Sequence, residues 1–220
     1  MQITPSTTIS PGLDPDDPRS AFGRAVAVGT VTVAGVRDGQ LGLPTPCTDM
    51  DVRALLAHLR SVLDRVTALG RGEDSFAVAE VPLGADRIGE WTDAAHRVQA
   101  AWSDDAVLGR PMSLPWQEGT GADILLGYVN EVVVHTWDLA VATGQHPDWD
   151  EDVVQTALDR MPSLPAEGRR EMFEQISADM GLAEPAMPFA EVVPVPGSAP
   201  AIDRLVAWNG RDPHWGAAMR

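Results

Sequence analysis

Residues 122–143, ADILLGYVNEVVVHTWDLAVAT, are apolar all the way round a helix, and no other stretch restricts the fold as strongly. Ile124, Leu125, Leu126, Tyr128, Val129, Val132, Val133, Val134, Trp137, Leu139 and Val141 leave no face for water, so a helix made from them must be enclosed by other elements. Helical residues turn by about 100° each, which puts Glu131, His135 and Asp138, at i, i+4 and i+7, within one arc of about 60°. A polar stripe therefore runs along a buried cylinder. An unpartnered buried carboxylate costs several kcal/mol, so Glu131 requires a cation, a hydrogen-bond donor or solvent in a cavity. A glutamate and a histidine four apart also bring an oxygen and a nitrogen donor close enough to chelate one divalent ion, as paired histidines do in helical zinc motifs. Such pairs also arise by chance, and the stripe is open to metal-free packing in which Glu131 pairs with His135 or an arginine.

The rest of the chain supplies the enclosing helices. Residues 20–36 wind on Phe22, Val26, Val31 and Val33, although valines and glycines weaken that helix. Thr48 and Asp51 have the spacing of a capping box opening a helix from Asp51 to about Leu69, whose leucines and valines share one face. A third helix runs from Ala85 to about Ser103 on Ile88, Trp91, Ala95, Val98 and Trp102. RPMSLPWQEGTG is too rich in proline and glycine to be helical and reads as an irregular or short extended excursion. Gly144 is a natural C-cap for the apolar helix. Beyond it come shorter helices at Glu151–Met161, Ala166–Met180 and Ala201–Trp208, with FAEVVPVP as an edge strand. The predicted fold is all-α: a four-helix bundle, up-and-down in its simplest topology, with a short mixed C-terminal addition. Residues 1–12 form a loose tail, 13–145 the bundle, and 146–220 a helical extension packed on it within the same domain.

A 220-residue chain that is 44% hydrophobic suits one such domain. With 32 acidic against 16 basic residues the net charge is -16, which argues against nucleic acid and anionic membrane as partners. Every basic residue is arginine, which removes P-loop, Schiff-base and lysine general-base chemistry. One cysteine, Cys47, excludes an internal disulfide, and the first residues lack the basic and apolar regions of a signal peptide, so the expected compartment is the cytoplasm.

His58 lies at the margin of the apolar face of the second helix, about 90° from its centre, either half exposed to water or turned inward as a third donor. His96 reads as a surface residue, and His146 and His214 as loop residues. Cys47 is either activated by the nearby helix N-terminus or, with no His, Arg or second Cys beside it in sequence, a small packed thiol. Trp116 belongs at a cavity mouth among the loops that open a bundle. Asp14, Asp16 and Asp17 suit the positive end of a helix.

The runs PTPCTDMDVRALLAHL, VNEVVVHTWDLAVATGQ and IDRLVAWNGRDPHW, in this order and spacing, resemble actinobacterial metal-binding proteins related to the N-terminal domain of mycothiol-dependent maleylpyruvate isomerase, in the DinB-like superfamily. The resemblance covers roughly residues 13–215. It implies a four-helix bundle in which His58, Glu131 and His135 hold a divalent ion, zinc first, with nickel or iron(II) also suited to these donors. Two neutral imidazoles and one carboxylate leave a net positive charge and an open position, where mycothiol would sit as a thiolate facing a small electrophile. Beside these donors, Asp138 would either orient a ligand or a neighbouring loop or serve as a structural hydrogen-bond acceptor, and Trp116 would stand at the mouth. The activity implied is a thiol-dependent transfer or isomerisation. The alternative is a metal-stabilised binding module that catalyses nothing, and a homodimer is compatible with either. Met50, Ala57 and Thr136 stand where relatives often carry tryptophan, glycine and glycine; none of these changes removes a donor.

Overall fold

The structure, a computed structural model, describes residues 17–161, 165–182 and 190–216. The expected tail, the start of the fold near Leu13, Asp14, Asp16 and Phe189 lie outside these residues. Helices α1 (Pro18–Ala34), α2 (Val52–Arg71), α3 (Arg87–Ala101) and α5 (Gly121–Thr143) form the bundle. Between α3 and α5 come the single turn α4 (Ala106–Gly109) and the hairpin β1 (Pro111–Leu114) and β2 (Gln117–Thr120), followed after the bundle by α6 (Glu151–Arg160), α7 (Arg169–Asp179) and α8 (Ala201–Trp208).

The helix starts follow from local chemistry. Asp17 caps α1, its carboxylate accepting from the Arg19 amide at 2.8 Å, and Pro18 occupies the first turn, where its missing N–H is not needed. Asp51, not the Thr48–Asp51 pair, caps α2 by accepting from the Ala54 amide at 2.8 Å. The preceding loop is organised instead by the Thr45 hydroxyl, which donates to the carbonyls of Met50 (2.7 Å) and Cys47 (3.0 Å). Thr120 and Asp123 form a reciprocal capping box at the start of α5. Gly144 ends α5 at φ 71°, a left-handed conformation that suits glycine. Helix α5 has the length and hydropathy of a membrane-crossing helix, yet 72% of its most apolar window is buried against the other elements, as in a core helix.

The bundle is not up-and-down. Helix α1 packs on α5 and α3, and α2 on α3 and α5, so α1 and α2 stand diagonally. Gln145, just after α5, donates to the Thr32 carbonyl near the end of α1, so these two helices run parallel. Arg87 at the start of α3 donates to the Val36 carbonyl just beyond α1, and Trp102 just after α3 donates to the Val66 carbonyl near the end of α2, so α2 and α3 are parallel to each other and opposed to the first pair. Two parallel helices in sequence need a connection that returns along the bundle. Residues 72–86 provide it, because extended chain advances about 3.3 Å per residue against 1.5 Å in a helix.

The Pro/Gly-rich excursion is a true antiparallel hairpin, with Pro111 opposite Thr120 and Leu114 opposite Gln117. It is pinned to α5 at Gly121, whose amide donates to the Arg110 carbonyl at 2.8 Å. Residues 190–196, expected as a strand, pair with none among the described residues, since Pro194 and Pro196 cannot donate; Val193 alone donates from its backbone, to the Ala207 carbonyl at 2.9 Å. Helices α6 and α8 pack on α5, and buried Arg169 ties the start of α7 to the carbonyls of Ala190 (3.1 Å) and Trp208.

Candidate metal centre

Helix α2 carries His58 at the inner edge of its packed face, and the polar stripe of α5 turns toward it. His58 Nε2 lies 3.3 Å from Glu131 Oε1, and His135 Nε2 lies 3.5 Å from the same oxygen. The two imidazoles meet edge to face with centroids 4.7 Å apart. One donor from each of the three side chains lies within 4.8 Å of the others. Donors that share one ion through bonds of about 2.0–2.2 Å sit roughly 3–3.5 Å apart in a tetrahedron, so this grouping fits a divalent metal. His58 and His135 are buried, while the Glu131 side chain keeps 21% of its surface open, which gives the cluster an outer side.

What stands behind each ring strengthens the fit. His58 Nδ1 faces Glu80 Oε1 at 2.9 Å, and His135 Nδ1 faces Asp138 Oδ2 at 3.0 Å. A carboxylate accepts a proton from Nδ1, which fixes the ring and leaves Nε2 as the ligating atom, the arrangement common behind metal-bound histidines. Asp138 is fully buried and is held in turn by Arg211. Glu80 also accepts from Ser61 at 3.4 Å and pairs with Arg65 at 3.5 Å.

The charges favour a cation at the centre. Burial alone would raise the Glu131 carboxyl, but hydrogen bonds from His135 and His58 outweigh it and hold the group well below the ordinary glutamate range. Burial opposes charge on His135 as well, yet its bonds to Asp138 and Glu131 push the imidazole up to about 9. Asp138 is likewise lowered, burial being overcome by Arg211 and His135. The surrounding carboxylates therefore stabilise positive charge where the two Nε2 atoms meet.

Cys47 has partners that its sequence neighbours do not reveal. It groups with His135 and Asp138, within 4.8 Å, and not with the His58–Glu131–His135 set. Burial, only partly offset by Arg211, raises its thiol to about 11, which keeps it protonated. Trp116 sits 43% exposed in the β1–β2 turn and packs edge to face on Phe76 at 5.9 Å. His96, His146 and His214 are exposed. A cavity of about 800 Å³ opens at the C-terminal end of α5, lined by Trp137, Gln145, His146, His214 and Trp215 among others, and neither Trp116 nor a member of the triad lines it.

Two of these residues escaped the sequence reading. Glu80 lies in the crossover connection with no periodic signal, and Arg211 was one arginine among sixteen. A hint for Arg211 was its place in NGRDPHW, inside one of the runs that carry the resemblance.

The sequence model of the mycothiol maleylpyruvate isomerase N-terminal domain matches residues 22–140, which include His58, Glu131, His135 and Asp138. This chain belongs to that family. It is also similar to uncharacterized proteins of two Mycobacterium tuberculosis strains, CDC 1551 / Oshkosh and ATCC 25618 / H37Rv, at 30% identity over 200 residues, 89% of this chain and 98% of each relative. No solved structure matches it.

Proposed function

We propose that this chain binds one divalent ion, zinc before nickel or iron(II), through His58, Glu131 and His135, and uses it with mycothiol in a transfer or isomerisation on a small electrophile. The observation that carries the reading is the convergence of three donors from two helices, each imidazole backed by a carboxylate. A bound ion would supply Lewis acidity and hold a substrate thiol as thiolate near neutral pH. The chain's own residues do the rest. Glu131 offsets one of the ion's charges and faces the open side, Asp138 and Glu80 orient the imidazoles, and Trp116 offers an aromatic surface to the thiol's carrier. Cys47, held as a neutral thiol, leaves the nucleophile to the small molecule. Partners are then small molecules, in keeping with the net charge of -16, and the cytoplasm is the proposed compartment.

Elemental analysis of the purified protein tests the first half: one equivalent of metal in the wild type and loss of it in His58→Ala and His135→Ala is expected, and stoichiometric metal retained in both variants overturns the ligand set. Cobalt substitution tests the second. A sulfur-to-cobalt charge-transfer band on adding mycothiol, followed by turnover with epoxide, halide or activated-alkene electrophiles, is expected; bound metal with no band and no turnover across the panel makes the protein a metal-stabilised binding module.

A further inference from the structure

The two imidazoles are held with unequal strength. His135 lies on the same helix as its Nδ1 partner Asp138, which is fully buried and bonded twice by the buried guanidinium of Arg211, at 3.1 and 3.3 Å. His58 depends on Glu80, whose side chain is 43% exposed and comes from the crossover connection. Residues 78–83 make no backbone hydrogen bond among the described residues, and Glu80 is their polar tie to the bundle, through His58, Ser61 and Arg65. Segments with so few bonds open locally at a small fraction of the free energy needed to unfold the core.

From this asymmetry we infer that Glu80 is the positioning residue for His58 and that His58 is the exchangeable ligand of the triad. If the 78–83 segment lifted, Glu80 would leave Nδ1 and the His58 ring would be free to turn from Glu131, so that Glu131 and His135 would be the residues still able to hold an ion. The inference rests on the proposed reading of the triad as a metal centre and adds to it which ligand lets go.

The test is zinc release from the full-length protein into excess chelator, followed by stopped flow with a chromogenic indicator. Wild type, Glu80→Ala, Glu80→Asp and Glu80→Gln are loaded with one equivalent of zinc and compared. Glu80→Ala is expected to release zinc about tenfold faster, the scale of losing a partner behind a ligand. Glu80→Asp, which keeps the carboxylate, is expected to recover part of the wild-type rate, and Glu80→Gln less. Thermal unfolding of the zinc-free proteins is expected to change little, since the Glu80 side chain is 43% exposed and its ion pairs are screened by solvent, whereas a purely structural role would lower it markedly. Release from Glu80→Ala at the wild-type rate overturns the inference, as does a fall in zinc-free melting temperature that accounts for the faster release. A wild-type protein that takes up neither zinc, nickel nor iron(II) overturns the triad reading and this inference together, whereas stoichiometric binding with equal release rates overturns this inference alone.

Discussion

Arg211 reaches across the molecule to Asp138, donating from Nη2 to Oδ2 at 3.1 Å and from Nε to Oδ1 at 3.3 Å, with its Nη1 on the Asn209 carbonyl at 2.7 Å. A segment 73 positions downstream thus sets the charge balance of the polar stripe on α5. Alongside it, Asn130 and Asn209 exchange a pair of buried amide hydrogen bonds at 3.0 Å each, which registers the end of α8 against the same helix.

Removing one side of the Arg211–Asp138 pair should be far more harmful than removing both. Arg211→Ala leaves a buried carboxylate without its cation and is expected to lower the unfolding free energy by about 3–5 kcal/mol. The double variant Asp138→Asn with Arg211→Ala is expected to lose less than the sum of the Asp138→Asn and Arg211→Ala losses. Urea denaturation of all four proteins gives the coupling directly, and additive losses would show that the pair acts as two independent residues.

Acid should weaken the cap of α1. The Asp17 carboxyl is lowered chiefly by the Arg19 side chain, against burial. A folded value below the unfolded one of about 3.9 means the contribution is fully present above that pH and is lost as pH falls through the folded value. Asp123, lowered by Thr120 at the start of α5, adds to the same slope. Stability is therefore expected to fall below about pH 4, and the fall to be shallower in Asp17→Asn, as measured by guanidinium titration from pH 6 to pH 2.

Gly121→Ala tests the seat of the hairpin. A Cβ there would stand 2.1 Å from the Val107 carbonyl oxygen, a backbone atom with no rotamer to move. The strain outweighs the better helix propensity of alanine, and a loss of about 1–3 kcal/mol is expected in thermal or chemical unfolding.

Trp116→Ala separates ion binding from thiol binding. It is expected to leave metal content at the wild-type level and to weaken mycothiol binding to the loaded protein by about 1 kcal/mol, the scale of one aromatic contact. Titration calorimetry reads both, and unchanged thiol affinity would remove Trp116 from the site.

The sequence made visible those features that repeat with a period. The apolar periodicity of α2 and the all-round apolarity of α5 predict both helices closely, and the arc of Glu131, His135 and Asp138 follows from helical geometry alone. The ring order did not follow, because long connections at 35–51 and 72–86 relieve consecutive helices of the need to be antiparallel neighbours. Thr48 carried the spacing of a cap, yet Asp51 supplies the acceptor by itself and Thr45 closes the loop. Glu80 and Arg211 meet their partners through tertiary packing, at separations of 22 and 73 residues, where no local pattern exists to detect them.

The stretch matched to the family stops at residue 140, short of the arginine that neutralises Asp138. A fragment trimmed to that stretch would keep all three donors but leave the buried Asp138 carboxylate leaning on His135, without the guanidinium that does most to hold its charge. Arg211 is thus an internal counterion delivered from the far end of the chain. Transplanting the two ligand-bearing helices into another scaffold would succeed only with an equivalent guanidinium carried along.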